Sequence, residues 1–360
     1  MSPPHMLNVH VLPPIPGVRL VPFLSAGVEP SNRLFQNFPP HYFEGLFNRV
    51  ETMTTADIVL FPHEYVNLQQ HIEYLNLHLA RARGAKKPFV VSAYQDDPTP
   101  IPIRDAVVLR SSAYKSELPP NDIVMPAYVE DVGAMYGTAP LPKGDEPIVG
   151  FAGKAGFDTW KDALRYAIKN YVLLYGPKRG GAYFRRLALQ SLRRTSGIKS
   201  TIIVRRRYSA HRKSIEVPPE EARREFIRSI RDSHFTLAPR GDGNYSMRFY
   251  ETLSMGRIPI LIDTDMPLPL EDRIPYDDFI VRIPWQECGR TGEIIREFFA
   301  RTSEERLIAM QCAARKAFED HLIMPQFLRA VFSQEYLAHL QVGRGTEVVI
   351  TGRTRIANGK

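Results

Sequence analysis

The chain has 360 residues, of which 44% are hydrophobic and 24% are charged. This composition is typical of an ordinary globular protein, and the length fits two domains of roughly 150 residues each. No apolar stretch of the sequence is long enough to cross a bilayer, and the N-terminus lacks the pattern of a signal peptide, so we expect a cytoplasmic protein. Two cysteines, Cys288 and Cys312, cannot form a disulfide framework and do not have metal-ligand spacing.

The net charge of +8 comes from one part of the chain. Residues 178–213, the basic segment, contain twelve Lys and Arg and no Asp or Glu, whereas the rest of the chain has 35 basic and 39 acidic residues. Such a segment predicts an anionic partner, which could be a nucleotide, a charged glycan, an anionic lipid surface or nucleic acid. The alternative is a solvated face that binds no ligand.

Short apolar and β-branched runs alternate with helix-like stretches, which predicts parallel sheets in an α/β fold. Nine strands are predicted, at residues 7–12, 56–61, 88–93, 106–110, 147–152, 200–205, 234–238, 258–262 and 279–283. The clearest helices are predicted at residues 67–83, 160–176 and 246–256. A stretch rich in Gly and Pro at 137–147 predicts a boundary between a first domain, 1–142, and a second, 147–335, followed by a polar tail, 336–360.

Four side chains at the ends of strands in the first domain are candidates for a general base, because ligands of open α/β sheets bind beyond the carboxyl ends of the strands. They are His63, Glu64, Asp96 and Asp97. Burial can tune both imidazole and carboxylate groups towards neutral pH. The alternatives are a structural histidine and carboxylates that cap the following turn, and the sequence leaves the choice open.

In the second domain, "APRGDGNYSMRFYE" (238–251) predicts a strand, a polar loop and a helix. Gly241 and Gly243 would let the main chain approach a ligand closely. Asn244 or Ser246 could cap the helix, whose first amides attract phosphate.

Charged side chains complete this predicted phosphate site. Arg248 offers a cationic fork suited to a diphosphate, and Glu251, one turn later, could accept hydrogen bonds from ribose hydroxyls. The alternative for these two residues is an exposed ion pair of little energetic value. Lys154, at the end of the strand "PIVGFA", could also reach a phosphate.

The chain resembles the exostosin-like glycosyltransferases over residues 230–272. This stretch has Pro-x-Gly, then Ser-x-Arg-x-x-Glu, then Gly-x-Ile-Pro followed by an Asp and Leu-Pro. The stretches "GFAGKAG" (150–156) and "DIVLFPHEY" (57–65) are similar to two further strand ends of that family. The main match covers about 45 residues, and weaker similarity extends over most of the chain.

The resemblance implies a GT-B fold, in which two Rossmann-like domains face each other across a cleft. The first domain would hold the acceptor and the second a nucleotide-sugar donor, typically a UDP-sugar, with inversion at the sugar and no metal or other cofactor. Carried over to this sequence, the donor-site positions are Arg240, Ser246, Arg248 and Glu251, with Lys154 as a phosphate contact.

These observations together predict an inverting glycosyltransferase of polysaccharide biosynthesis. Its expected partners are the nucleotide-sugar donor and an acceptor, which would be a glycan, a glycolipid or another molecule. The basic segment favours an anionic acceptor and a contact of the protein with the periphery of a membrane. Two alternatives remain: a sugar-nucleotide or glycan-binding module without catalysis, and a nucleic-acid-binding protein that uses the basic segment. No nucleic-acid partner is expected, because aromatic residues are sparse in that segment and no RRM or KH signature occurs.

Overall fold

The computed structural model describes residues 6–25, 38, 40–68, 71–103, 105–157, 159–206 and 217–338. Within these ranges the chain forms two β-sheets in which every pair of neighbouring strands is parallel. The α/β class and the expected pair of parallel-sheet units are therefore confirmed. No helix among the described residues is both long and apolar enough to span a membrane.

The first sheet has the strand order β2-β1-β3-β4-β5-β6. Its strands are β1 (Asn8–Val11), β2 (Asn48–Arg49), β3 (Ile58–Glu64), β4 (Phe89–Ala93), β5 (Ala106–Arg110) and β6 (Asp122–Val124). Every residue of β3, β4 and β5 is buried, because helices and loops cover both faces of a parallel sheet. This explains why these strands appear in the sequence as continuous apolar runs.

The second sheet has the strand order β11-β10-β9-β7-β8. Its strands are β7 (Ile148–Lys154), β8 (Lys199–Arg205), β9 (Phe235–Leu237), β10 (Ile258–Asp263) and β11 (Val281–Pro284). The strand order reverses between β7 and β9, so the crevice at their carboxyl ends is where a ligand is expected in this type of sheet.

Helices surround the two sheets. Within the described ranges the α-helices are α1 (Pro22–Ser25), α2 (Ile72–Gly84), α3 (Val132–Tyr136), α4 (Trp160–Ala167), α5 (Gly181–Arg194), α6 (Pro219–Arg231), α7 (Met247–Ser254), α8 (Thr291–Arg301), α9 (Glu304–Ala317), α10 (Met324–Val331) and α11 (Gln334–Ala338). A π-helix, Ile168–Leu173, continues α4.

All nine predicted strands are present, with ends shifted by a few residues. The sequence did not predict β2 and β6, which are two and three residues long and lie at the two edges of the first sheet. Strands this short are not distinguishable from loops by periodicity. The predicted helix at 160–176 is divided between α4 and the π-helix.

The end of the described chain returns to the first sheet. Phe327 of α10 packs in one hydrophobic core with Leu7 and Val9, and Met6 pairs with Ser333 in an antiparallel bridge. Residues 324–333 therefore lie beside the first sheet, although they follow the second sheet in the chain. The predicted boundaries at 142, 147 and 335 remain predictions, and most of the predicted tail lies outside the described residues.

Close packing of α6 on β7 depends on Gly150. A Cβ atom at this position would lie 1.6 Å from the carbonyl oxygen of Ser229. We predict that Gly150→Ala lowers the free energy of unfolding by about 1–3 kcal/mol or more, because a backbone oxygen must move. Gly144→Ala is the control, since nothing lies within 4 Å of its Cβ position. Equal midpoints of urea denaturation for the two variants would contradict this packing.

Candidate active site

The loop between β9 and α7, residues 238–246, is called the donor loop here after the donor site that the sequence predicts. Asn244 fixes it against the first sheet. The Asn244 backbone N–H donates to the Ser112 hydroxyl at 2.8 Å, and its side-chain amide donates to the Ala113 carbonyl at 2.8 Å. Its amide oxygen accepts from the Thr264 hydroxyl at 2.7 Å. Asn244 is fully buried, so its polar atoms serve the contact between the two sheets. Helix α7 begins after Ser246, which makes no side-chain capping bond.

Arg240 also joins the two halves of the molecule. It is buried, and its guanidinium donates to the Tyr114 hydroxyl at 2.8 Å and to the Pro177 carbonyl at 3.2 Å. The guanidinium carbon lies 5.6 Å from the centre of the Tyr114 ring. Arg240 also donates to the Asp242 carbonyl at 3.3 Å, so it supports the shape of the donor loop from within. The role of Arg240 at the donor, which the sequence predicts, stays a prediction.

Arg248 lies at the carboxyl end of β7. Its guanidinium donates to the Ala152 carbonyl at 2.6 Å and stacks 4.4 Å from the centre of the Phe151 ring. A Cβ atom at Gly153 would be 2.6 Å from the guanidinium nitrogen Nη2. The glycine therefore makes room for this cation at the point where the strand order reverses.

Glu251 pairs with an arginine that the sequence did not indicate. Its carboxylate is 3.5 Å from Arg223 of α6, which also donates to Glu130 at 2.9 Å. Burial raises the pKa of Glu251, and the charges of Arg223 and Arg248 partly offset that rise. The alternative for these residues, an exposed ion pair between Arg248 and Glu251, is therefore absent.

Arg185 of α5 is a further site residue that sequence reasoning missed. Its buried guanidinium donates to the carbonyl of Lys154 and, at 3.3 Å, to that of Arg240. A Cβ atom at Gly181 would lie 2.2 Å from the carbonyl oxygens of Arg240 and Gly241, so α5 begins in direct contact with the donor loop. The signal in the sequence was a Gly-Gly helix start followed by an arginine one turn later.

A cavity of about 240 Å³ opens at this end of the second sheet. It lies between Lys154 at the end of β7, helices α4 and α5, and Asp242 in the donor loop. Arg185 and the ring of Tyr166 also line it. The cavity thus combines cationic groups with an aromatic surface, which are the features that a nucleotide needs.

His63 is an internal structural group. Its Nδ1 donates to the Arg19 carbonyl at 2.9 Å, and its Nε2 accepts from the Ile15 N–H at 2.8 Å. The residue is fully buried, and burial lowers the pKa of its imidazole. Both ring nitrogens are used by the backbone, which leaves neither of them directed at a substrate.

Glu64 and Asp97 are bonded within the first domain. The Glu64 carboxylate accepts from the Ser92 hydroxyl at 3.0 Å and from the Tyr94 N–H at 2.9 Å. Burial raises the pKa of Glu64, and these two donors partly offset the rise. Asp97 is exposed and accepts from the Thr99 N–H at 2.9 Å, which is the turn-capping alternative.

Asp96 is the candidate that lies against the donor loop. A Cβ atom at Gly243 would be 2.8 Å from the Asp96 carbonyl oxygen. Asp96 is exposed, and nearby protein atoms partly desolvate its carboxyl group. This desolvation and the negative charge of Asp242 raise the pKa of Asp96, whereas Tyr245 and the Gly243 N–H partly offset the rise. Within the described residues, no group of His, Cys, Asp and Glu has an arrangement that could hold a metal ion.

In its described part, residues 178–206, the basic segment does not form one continuous exposed patch. Arg205 is buried at the end of β8 and forms an ion pair with Glu225 of α6. Arg206 is exposed, and residues 207–213, including Arg207, lie outside the described residues.

Comparison with known proteins supports the predicted resemblance. Residues 182–298 match the family model of the exostosin GT47 domain. Over 120 residues the chain is 28% identical to the Exostosin-1 homolog of Caenorhabditis elegans, a match that covers 32% of this chain and 30% of that protein. The resemblance to the exostosin-like glycosyltransferases is therefore confirmed for this region, and the match spans less than a third of the relative's length.

Solved structures overlap with most of the chain at low similarity. A glycosyltransferase from Rickettsia africae covers 94% of this chain and 99% of its own, with 12% identity and a TM-score of 0.38. The Anabaena protein Alr3699/HepE, solved in complex with UDP and glucose, covers 93% and 100%, with 9% identity and a TM-score of 0.37. Because both scores are low, the fold assignment rests on the two parallel sheets themselves.

The donor loop offers a matched pair of glycines for testing this arrangement. A Cβ atom at Gly243 would meet the Asp96 backbone at 2.8 Å, whereas the nearest atom to a Cβ at Gly241 is 3.7 Å away. We predict that Gly243→Ala lowers the free energy of unfolding by about 1–3 kcal/mol, because the two domains must separate slightly. Gly241→Ala should change it by less than about 0.5 kcal/mol. Equal losses in urea denaturation would show that Asp96 and the donor loop are not in contact.

Proposed function

We propose that this chain, with its match to the exostosin GT47 domain, is an inverting glycosyltransferase that uses a nucleoside diphosphate sugar, with a UDP-sugar as the expected donor. One observation carries the proposal. Arg248 and Lys154 lie at the crevice where the strand order of the second sheet reverses. Asp96, which follows a strand of the first sheet, contacts the donor loop from the opposite side of this crevice.

The donor would be held by the second sheet. Its diphosphate would lie between Arg248, Lys154 and the first amides of α7, where two cations and the positive end of the helix dipole attract an anion. Its nucleoside would enter the cavity beside Tyr166. Arg185 would position this site, because it bonds the carbonyls of both Lys154 and Arg240 and so fixes the two strand ends relative to each other.

The proposed reaction is a single displacement at the anomeric carbon. Asp96 takes the proton of the acceptor hydroxyl, the acceptor oxygen forms a bond to that carbon, and the bond to the diphosphate oxygen breaks with its electron pair. Arg248 and Lys154 stabilise the negative charge that develops on the diphosphate. Of the four candidate bases, Asp96 is favoured because the other three are bonded within the first domain.

The acceptor is proposed to be a glycan or another glycoconjugate that enters from the side of the first sheet, as in polysaccharide biosynthesis. No metal or other cofactor is proposed for the reaction. The cationic side chains at the position of the diphosphate offer the positive charge that a bound metal ion supplies in other enzymes.

Donor binding tests the role of Arg248. We predict that Arg248→Ala binds UDP about 10- to 150-fold more weakly than the wild type in titration calorimetry, since a hydrogen bond to a charged group contributes about 1.5–3 kcal/mol. GDP, ADP and CMP are titrated alongside to identify the preferred base. The binding should persist in EDTA.

Arg301→Ala is the control for this experiment, because Arg301 is exposed at the end of α8. It should bind the preferred nucleotide as the wild type does. If Arg248→Ala also binds normally, or if none of the four nucleotides binds, the donor site is wrongly placed. Tight binding without any turnover would instead favour the module without catalysis.

Adjacent carboxylates give a matched test of the base. We predict that Asp96→Asn lowers kcat by roughly 10²- to 10⁴-fold, whereas Asp97→Asn, which keeps the oxygen that caps Thr99, stays near the wild-type rate. The measurement is release of UDP from UDP-sugars, with water as the acceptor.

The dependence on pH supplies a second readout. Because the pKa of Asp96 is raised, the wild-type rate should fall as the pH drops through a value above the usual 3.9 or so of an aspartate, and Asp96→Asn should lack this acidic limb. Equal rates for the two Asn variants would exclude Asp96 as the base.

A further inference from the structure

Exposed apolar side chains are concentrated in one short part of the chain. Of the thirteen large hydrophobic residues that are exposed in the described ranges, seven lie between positions 160 and 175. They form what we call the apolar ridge: Trp160, Leu164, Ile168, Tyr171, Val172, Leu173 and Tyr175. Trp160 is 71% exposed, Val172 75% and Tyr175 79%. Contiguous apolar surface of this kind marks an interaction site.

The geometry of α4 and the π-helix keeps the ridge on the outside. Trp160, Leu164 and Ile168 follow one another at intervals of four residues, so they share a face of the helix. The opposite face is held to the protein, because the buried Asn170 accepts from the Gly180 N–H at 2.7 Å. The ring of Tyr166 packs 4.9 Å from that of Phe157 on this inner side. The ridge is therefore a fixed feature of the surface.

Positive charge borders the ridge. Lys161, Arg165 and Lys169 form a parallel row one position along the helix, and all three are exposed. A cavity of about 510 Å³ adjoins the ridge, because Tyr171 of the ridge lines it together with Arg193 at the end of α5. Arg186 and Arg194 also line this cavity, and none of its described lining residues is Asp or Glu. The cavity therefore suits an anionic group beside an apolar surface.

We propose that the apolar ridge inserts into the surface of an anionic membrane, with phosphate headgroups held by the neighbouring arginines. Trp and Tyr have an apolar ring with a polar tip, which is the chemistry preferred at the boundary between headgroups and acyl chains. A helix with an apolar row beside a row of Lys and Arg lies in the plane of such an interface. This inference does not depend on the proposed reaction.

A second copy of this chain fits the ridge less well. Two ridges placed face to face would bring the rows of Lys161, Arg165 and Lys169 close together, and like charges at an interface are unfavourable. Anionic lipid instead offers opposite charge at the border and hydrocarbon at the centre. Charge complementarity therefore selects the membrane surface over self-association.

Binding to vesicles tests the proposal with the full chain. Vesicles of phosphatidylcholine alone are compared in sedimentation with vesicles of phosphatidylcholine and phosphatidylglycerol in equal parts. The wild type should bind the anionic vesicles and should be released by high salt, because screening weakens the electrostatic part of the attraction. In a Trp285→Phe background, Trp160 is the remaining tryptophan, and its emission should shift to the blue on binding.

Three variants separate the two contributions. The pair Val172→Ser and Leu173→Ser removes exposed apolar surface and should weaken vesicle binding roughly tenfold or more. The pair Arg193→Gln and Arg194→Gln should weaken it roughly 30-fold, at about 1 kcal/mol for each cation. Leu77→Ser, on α2 of the first domain, removes an exposed leucine elsewhere and should bind as the wild type does.

Each outcome decides the matter. Loss of binding in both pairs but not in Leu77→Ser supports the proposal. Equal binding by all variants, or absence of binding to anionic vesicles, would overturn it. If the wild type is a dimer in light scattering and the serine pair is monomeric, a second copy covers the ridge and the membrane proposal is wrong. UDP binding by every variant would show that none of these substitutions disturbs the donor site, so that loss of vesicle binding is a loss at the ridge.

Discussion

The buried amide of Asn244 is the interaction on which the arrangement of the site depends. Its donors reach Ser112 and Ala113 of the first sheet, while its oxygen accepts from Thr264 of the second. A buried amide that lost these partners would retain unsatisfied polar atoms at a cost of about 1–3 kcal/mol each. The donor loop is therefore fixed to the opposite sheet before any ligand arrives, and Asp96 is brought against the same loop.

Main-chain carbonyl oxygens orient the arginine side chains around this loop. Arg185 donates to the Lys154 and Arg240 carbonyls, and Arg248 donates to that of Ala152. A carbonyl orients a guanidinium without bringing a full negative charge, so these contacts fix the geometry of the two cationic groups. Helix α4 connects the two proposed surfaces, because Asp162 and Arg165 line the cavity beside Lys154 and Trp160 lies on the exposed side.

The sequence predicted the strands of both sheets well for a physical reason. A strand of a parallel sheet is buried on both faces, and it appears as an unbroken apolar run such as "IVLF" or "IPILI". The edge strands β2 and β6 are too short to leave such a trace. The polar loop with its glycines and Arg248 was also visible, because these residues lie close together in the chain.

By itself, the sequence determined the α/β class and the order of the strands along the chain, and it predicted an anion-binding site after β9. Tertiary structure alone decided which polar groups remain available, because their partners are remote in the chain. His63 is occupied by Ile15 and Arg19, Asn244 by Ser112, and Glu251 by Arg223. A polar contact between residues so far apart leaves no periodicity in the sequence, and it forms only when the chain folds.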